Sequence, residues 1–171
     1  LLKRTFIWGR NHNKATAMAL EAAGLGIDVE AVKEIEAATQ QADVISCATF
    51  SPEPLVFGEW LKEGAHLDLV GGYRPEVRET DDTTIRRATV FCDTFSGAPK
   101  AAGDLTQPLA SGLLQLGDLN DLYALVGGDH PGRTSDSEIT MFKSVGASLE
   151  DYAAAVLIYE QVSKKNPDYS S

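Results

Sequence analysis

The chain has 171 residues, 43% of them hydrophobic, and carries a formal net charge of −10 at pH 7. This length and composition are typical of one globular domain with a hydrophobic core. The negative charge disfavours DNA, RNA and anionic membranes as partners, because those surfaces repel an acidic protein. The sequence therefore predicts neither a nucleic-acid-binding protein nor a membrane-surface protein.

The first half of the chain alternates β-rich and helical segments. The predicted strands are 5–8, 26–29, 43–48, 65–70 and 89–92, and the predicted helices are 11–23, 30–41, 57–61 and 81–88, the last capped by Thr80. Strands that alternate with helices at this spacing pair in parallel through right-handed crossovers. The sequence therefore predicts an α/β fold with a doubly wound, Rossmann-type parallel sheet.

The second half begins with a Gly- and Pro-rich connector after Asp93. It continues with a predicted helix at 118–126 that ends at a glycine pair, a short strand at 138–144 and a long helix at 147–164. The long helix has an apolar stripe, which needs another surface to cover it. We expect the polar tail, 166–171, to be frayed.

The cysteines and the chain start indicate the class of protein. Cys47 and Cys92 lie in apolar segments, and two cysteines are too few for a disulfide framework, so we expect buried thiols in a reducing compartment. No apolar segment approaches the roughly 20 residues that span a bilayer, and LLKRTFIW has no secretory pattern, so we expect a cytoplasmic protein. Because the chain starts at a leucine and enters a strand almost at once, we expect a fragment of a longer protein.

Ligands of doubly wound folds lie across the carboxyl ends of the strands, and Arg10 and Asn11 follow the first predicted strand. NAD-preferring domains carry an acid near this point for the ribose hydroxyls, whereas a cation suits the 2′-phosphate of NADP. Lys14, one helical turn later, adds a second positive charge. The same cations are equally typical of solvated residues at a helix start. The residues alone leave both interpretations open.

Two other strand ends carry weaker signals. Thr49 and Phe50 follow the strand at 43–48, where a hydroxyl and a small preceding residue suit a ligand ring, although a capped turn before Pro52 is the commoner use of such residues. The glycine pair at 71–72 permits close approach to a ligand, but also serves ordinary tight turns. The three histidines lack metal-ligand spacing, so we expect no metal site.

Three strings carry a family resemblance: FGEWLKEGAHLDLVGGYRPEVRETDD, AGDLTQPLASG and PGRTSDSEITMFKSVGASLEDYAAA. In their order and separation they resemble the ornithine cyclodeaminase/mu-crystallin family over nearly the whole chain. Within the family, these segments are most similar in sequence to bacterial delta-1-pyrroline-2-carboxylate reductases. The resemblance implies that the full-length parent is an NADPH-dependent reductase of a small cyclic imino acid, and that this fragment alone is inactive. The alternatives are an amino-acid cyclodeaminase with bound NAD and a non-catalytic NADPH-dependent binder like mu-crystallin.

The resemblance also implies a domain plan. Residues 1–145 would form a partial NAD(P)-binding Rossmann domain, and 146–171 a helix that packs on an amino-terminal substrate and dimerisation domain, giving a homodimer. No GxGxxG motif occurs in the chain, so the first strand and its Gly-rich turn are absent from the predicted sheet. We expect the strands beside that gap to pair with each other or with a second copy.

Eight residues are implied as contacts of NADP(H), or alternatively NAD(H). These are Arg10, Asn11 and Lys14 at the adenosine phosphate, Thr49, Phe50 and Val70 on the nicotinamide side, and Lys143 and Ser144 in a loop that reaches back to the cofactor. Tyr73 stands where ornithine cyclodeaminases carry an aspartate, which disfavours deamination of ornithine. We expect Tyr73 to shape the pocket, while the catalytic residues stay unknown from this sequence.

Overall fold

The structure is a computed structural model that describes residues 3–165, so the predicted frayed tail lies outside the described residues. The strands are β1 (Thr5–Ile7), β2 (Val29–Ala31), β3 (Val44–Cys47), β4 (His66–Leu69), β5 (Ala88–Cys92), β6 (Leu119–Asp121) and β7 (Ile139–Lys143). The α-helices are α1 (His12–Gly24), α2 (Ile35–Gln41), α3 (Asp82–Arg87), α4 (Ala98–Ala101), α5 (Gly103–Ser111), α6 (Leu122–Gly127) and α7 (Ser148–Lys165). Short 3-10 helices occur at Gly58–Trp60 and Leu116–Asp118.

The strands form two parallel sheets. One consists of β1 and β2, and the other has the order β3-β4-β7-β5-β6. Every strand pair in the larger sheet is parallel. The predicted α/β fold with parallel strands and a long carboxyl-terminal helix is therefore confirmed. The position of β7 in the centre of the sheet, between β4 and β5, was not indicated by the order of the strands along the chain.

The hydrophobic core covers one face of the larger sheet. Leu67 and Leu69 of β4 and Met141 of β7 are fully buried on this face. Helices α3, α4 and α5 contribute further apolar side chains to the same cluster, including Ile85 and Leu105. Both cysteines belong to this core and are free thiols, as predicted. Because side chains alternate along a strand, the neighbouring residues of β4 lie on the opposite face, which is only partly buried.

A gap separates the two sheets. Within residues 3–165, β1 pairs only with β2, and β3 pairs only with β4. The strands beside the gap therefore do not pair with each other within the described residues, and the alternative expectation, pairing with a second copy, stays a prediction. Val44 of β3 is 57% exposed, because it lies on the face of the strand opposite the core. A groove of about 570 Å³ lies next to β1 and is lined by Phe6, His12 and residues of α2, among others.

Two predicted helices are shorter than expected because their first residues pair as strands. In the predicted helix at 30–41, residues up to Ala31 belong to β2, which pairs with β1, and the helix starts only at Ile35. In the predicted helix at 118–126, residues 119–121 form β6 against β5. Strand pairing, which brings in residues distant along the chain, overrides the local helical pattern at both places.

The caps and the connector also differ from the prediction. Asp81, not Thr80, caps α3, because its carboxylate accepts the Thr84 backbone N–H at 3.0 Å. The Thr80 hydroxyl instead donates to the carboxylate of Asp104. The connector after Asp93 contains α4 and α5 in addition to α6.

Helix α7 projects an apolar stripe away from the rest of the described structure. None of its residues is buried, and Leu149, Leu157 and Ile158 are each more than half exposed. None of the helices in the described part of the chain combines the length and the apolar character needed to cross a membrane.

Candidate functional site

The carboxyl ends of four strands lie side by side at one edge of the larger sheet, because β3, β4, β7 and β5 are adjacent and parallel. The segments that follow them include Thr49 and Phe50 after β3, Val70 after β4, and Ser144 after β7. Lys143 is the last residue of β7. The fold thus brings together the residues that the sequence assigned to the nicotinamide side and to the returning loop.

Glycines allow the loops after β3 and β4 to touch. A Cβ atom on Gly71 would lie 1.9 Å from the carbonyl oxygen of Thr49, closer than any side chain can come. The N–H of Gly72 donates to that oxygen at 3.0 Å, and Gly72 has a φ of +59°. The paired glycines therefore serve the contact between two loops of the site.

Glu79 fixes the position of Thr49 through hydrogen bonds. The backbone N–H and the hydroxyl of Thr49 both donate to Glu79 Oε1, at 2.7 and 2.8 Å. Glu79 is fully buried. The Thr49 hydroxyl is thus directed into the protein, and its contribution to a ligand site is to fix the loop after β3.

Lys143 lies in a buried charge cluster with Glu79 and Asp104. Its ammonium is 3.5 Å from Glu79 Oε2 and 3.4 Å from Asp104 Oδ2, and all three side chains are fully buried. It also donates a hydrogen bond to the carbonyl oxygen of Gly71. The other carboxylate oxygen of Asp104 accepts the backbone N–H groups of Glu79 and Thr80, at 2.9 and 3.0 Å. In this structure the Lys143 ammonium faces the interior, so any direct contact with a cofactor stays a prediction.

Asp93 fixes the loop that follows β7. Its Oδ2 accepts the Ser144 hydroxyl at 3.1 Å and the backbone N–H groups of Val145 and Gly146 at 2.7 and 3.0 Å. Its Oδ1 accepts the Thr94 N–H at 2.6 Å. Asp93 and Ser144 are both buried. The Ser144 hydroxyl therefore has a protein partner, and its contact with a cofactor stays a prediction.

The exposed side chains at this edge are mainly aromatic or apolar. Phe50 and Tyr73 are 50% and 55% exposed, and their ring centroids lie 5.3 Å apart. The Arg74 guanidinium carbon lies 5.3 Å from the centre of the Phe50 ring. Val70 is also about half exposed. Together these residues present an apolar surface with one cation, which suits a flat ring that carries an acidic group.

The predicted adenosine-phosphate residues lie at the carboxyl end of β1, in the smaller sheet. Arg10 and Lys14 are exposed, and no carboxylate among residues 3–165 lies within ion-pair distance of either. Asn11 caps α1, because its side-chain oxygen accepts the Lys14 N–H at 3.2 Å. Two unpaired cations at a helix start are a suitable environment for a phosphate.

The described residues at this edge include neither a reactive thiol nor a group of side chains placed to hold a metal ion. Burial, reinforced by the negative charge of Glu79, raises the pKa of the Cys47 thiol to about 12. Burial and the carboxylate of Asp93 raise the pKa of the Cys92 thiol to about 12. Both thiols are therefore protonated at neutral pH and are poor nucleophiles. The described residues contain no group of three or more His, Cys, Asp and Glu side chains placed to hold a metal ion.

Sequence reasoning missed the three buried carboxylates of Asp93, Glu79 and Asp104. One signal was available for Asp93, since it follows a buried strand directly and so stands at the ligand edge. Asp104 lies in a segment that is otherwise buried, which marks a charge that needs a partner. Nothing in the local sequence identifies that partner as Lys143.

Comparisons with known proteins agree with the fold described above. The chain is 35% identical to the delta-1-pyrroline-2-carboxylate reductase of Paracoccus denitrificans over 158 residues, which cover 92% of the chain and 50% of that protein. It is also 35% identical to the ketimine reductase mu-crystallin of Mus musculus, covering 92% of the chain and 47% of that protein. A solved structure of Thermococcus litoralis delta-1-pyrroline-2-carboxylate reductase in complex with NADH and L-proline matches with a TM-score of 0.89 and 33% identity, covering 95% of the chain and 51% of that structure.

The chain spans about half the length of the curated relatives that it matches. A family model matches residues 2–166, which is nearly all of the sequence. With its parallel α/β fold and its clustered strand ends, the chain belongs to the ornithine cyclodeaminase/mu-crystallin family.

Proposed function

We propose that the whole protein reduces a small cyclic imino acid, such as delta-1-pyrroline-2-carboxylate, with NADPH as the hydride donor, in the cytoplasm. The observation that carries this proposal is the convergence of the loops after β3, β4 and β7 at one sheet edge, where Phe50, Val70 and Tyr73 are exposed. The similarity to two reductases that act on this class of compound supports it.

In this reaction, the described part of the chain has to position the dinucleotide and the imino acid rather than supply an acid or a base. When bound, the reduced dinucleotide supplies a hydride for the imine carbon, and a proton reaches the nitrogen. The role of Phe50, Val70 and Tyr73 is to hold the rings in place and to exclude water. Tyr73 supplies no carboxylate, so this site lacks the acid that the sequence comparison associates with cyclodeaminases. Reduction therefore fits the residues present better than deamination does.

Arg10 and Lys14 favour NADPH over NADH in this proposal. Neither has a carboxylate partner among the described residues, and no acidic side chain follows β1 at the position where NAD-preferring domains carry one. A 2′-phosphate would give both cations a partner. The Thermococcus litoralis relative was solved with NADH, and a comparison of the affinities for NADPH and NADH tests the preference proposed for this protein.

The domain arrangement belongs to the same proposal. We infer that an amino-terminal part supplies the strand between β1 and β3, forms the substrate and dimerisation domain, and covers the stripe of α7. The unpaired edges of β1 and β3, the groove beside β1 and the exposed helix all support this arrangement. The relatives, which are about twice as long as this chain, leave room for such a part.

The direct test is a steady-state assay of the whole protein with NADPH and pyrroline-2-carboxylate. We expect loss of NADPH absorbance that depends on both the imino acid and the protein. Ammonia release from ornithine without net consumption of cofactor would show that the protein is a cyclodeaminase and not a reductase. Ligand binding without any turnover would indicate a binding protein and would contradict the proposal.

A further inference from the structure

The buried charge cluster of Glu79, Asp104 and Lys143 is poorly explained by stability alone. Two carboxyl groups share one lysine side chain, and all three side chains are fully buried. Removing charges from water costs several kcal/mol per ion, and well-packed apolar side chains often replace such clusters without loss of stability. Stability alone therefore does not account for these three buried side chains, and we look for a function in their position.

The cluster touches each of the loops that form the exposed ligand surface. Glu79 Oε1 accepts two hydrogen bonds from Thr49, which precedes Phe50. Lys143 donates to the carbonyl oxygen of Gly71, which follows Val70 and precedes Tyr73 by two residues. One set of buried charges thus fixes the backbone on both sides of the surface.

Lys143 is the centre of this arrangement. Its ammonium lies within 3.5 Å of both carboxylates and also holds Gly71. The Gly72 N–H, next along the chain, donates to the Thr49 carbonyl. A shift of the Gly71 peptide would therefore move the loops after β3 and β4 together.

We propose that Lys143 is a positioning residue: by holding the Gly71 carbonyl against Glu79 and Asp104, it fixes the surface on which the nicotinamide and the imino acid meet. This inference rests on the proposed reductase function. Because the Lys143 ammonium faces the interior and contacts Gly71, Glu79 and Asp104, it acts through the loops, and its loss should lower kcat more than it raises KM. A misplacement of about 1 Å between reacting groups can cost about 100-fold in rate.

Charge balance and positioning can be separated with two variants of the whole protein. Lys143→Met leaves two unpaired buried carboxylates, so we expect a large loss of stability. The double variant Lys143→Met/Asp104→Asn removes one basic and one acidic group together, and the asparagine keeps an oxygen for Glu79 N–H and Thr80 N–H. We expect the double variant to recover most of the urea midpoint, while its kcat stays lower than wild type by about 10- to 100-fold with a smaller change in KM.

Lys62→Met is the matched control, because Lys62 also pairs with a carboxylate and a backbone carbonyl but lies at the surface far from these loops. It should leave kcat and KM unchanged. A double variant with a restored urea midpoint and wild-type kcat would overturn the proposal. If neither Lys143 variant folds, Glu79→Gln decides: it keeps an acceptor for Thr49 but turns an amide toward the ammonium, and unchanged kcat in this variant would equally overturn the proposal.

Amide hydrogen exchange separates a failure of this inference from a failure of the proposed function. If the wild-type protein does not reduce the imino acid, the reductase proposal fails, but exchange still reports on positioning. We expect the Gly72 amide to lose protection in the double variant, or in Glu79→Gln if that variant is used, while amides of β4 and β7 keep theirs. Wild-type protection of Gly72 would show that Lys143 does not fix the loop.

Discussion

At the residue scale, each of three buried carboxylates organises one part of the ligand edge. Asp93 accepts hydrogen bonds from the loop after β7, Glu79 accepts two from Thr49, and Asp104 accepts two backbone N–H groups and pairs with Lys143. Hydrogen bonds to ionised acceptors are about twice as strong as those between neutral groups. The loops are therefore held in place by the protein itself, before any ligand binds.

The same contacts explain what the sequence could not predict about single residues. The sequence placed Thr49 after a predicted strand, at the ligand edge, whereas Lys143 and Ser144 were implied there only by the family resemblance. It could not predict that all three point at buried carboxylates, since Glu79, Asp104 and Asp93 are 30, 39 and 51 positions away along the chain from their partners. Arg10 and Lys14 have no such partner among residues 3–165, and both are exposed, as a phosphate-binding role requires.

The two thiols provide a prediction at this scale. Burial raises the pKa values of Cys47 and Cys92 to about 12, so both should stay protonated and unreactive at pH 8. We expect no reaction with a thiol reagent such as DTNB under native conditions and release of two equivalents of thiolate product in urea. Rapid stoichiometric labelling of the folded protein would show that at least one thiol is accessible.

At the scale of elements, the strand order of the larger sheet is the main feature that local sequence cannot supply. Apolar segments indicated most strands and the long helix α7, because burial leaves a periodic pattern. They did not indicate that β7 inserts between β4 and β5, or that Leu119–Asp121 pairs with β5, since an apolar run identifies a buried strand but not its neighbours. The central place of β7 matters for function, because it brings Lys143 beside Gly71.

The cap of α3 provides a prediction for an element. Partial burial raises the pKa of Asp81, but hydrogen bonds from Gly58 N–H and from Thr84 outweigh it and leave the pKa below its ordinary value. Asp81→Ala should therefore cost about 1–2 kcal/mol of unfolding free energy at pH 7. Because the folded pKa is lowered, this contribution is present above the ordinary pKa of about 4 and is lost as the pH falls through the folded value.

Urea unfolding of the wild type and Asp81→Ala at several pH values measures this effect, with exposed Glu76→Ala as the control. The difference between wild type and Asp81→Ala should shrink as the pH is lowered below about 4. A difference that is absent at pH 7, or one that grows in acid, would contradict the assigned cap.

At the scale of the whole molecule, the described chain has unsatisfied surfaces. The edges of β1 and β3 carry unpaired backbone groups on either side of a gap, and α7 exposes its apolar stripe. The family resemblance and the missing Gly-rich turn predicted such a gap. Sequence reasoning did not predict that the two sheets lack a hydrogen-bonded connection, because pairing between distant strands depends on tertiary structure that a local pattern does not encode.

These surfaces predict self-association of the 171-residue chain alone. Unpaired strand edges and exposed apolar stripes both favour contact with a second copy. We expect size-exclusion chromatography with light scattering to give a mass above that of the monomer, 18.3 kDa. Val44→Lys should reduce the association if the β3 edge carries it, and Leu157→Glu should do so if α7 carries it. A sharp monomeric peak over a wide concentration range would contradict the expectation.

The binding of the dinucleotide tests the proposed function most directly, because hydride transfer requires it. Arg10 and Lys14 predict in addition that the dinucleotide with a 2′-phosphate binds more tightly. Isothermal titration calorimetry of the whole protein should show NADPH binding at least about tenfold more tightly than NADH, since a charged hydrogen bond contributes about 1.5–3 kcal/mol. Arg10→Ala should remove most of that preference, while exposed Arg86→Ala should leave it intact. Equal affinity for the two dinucleotides, together with no effect of Arg10→Ala, would contradict the proposed phosphate site.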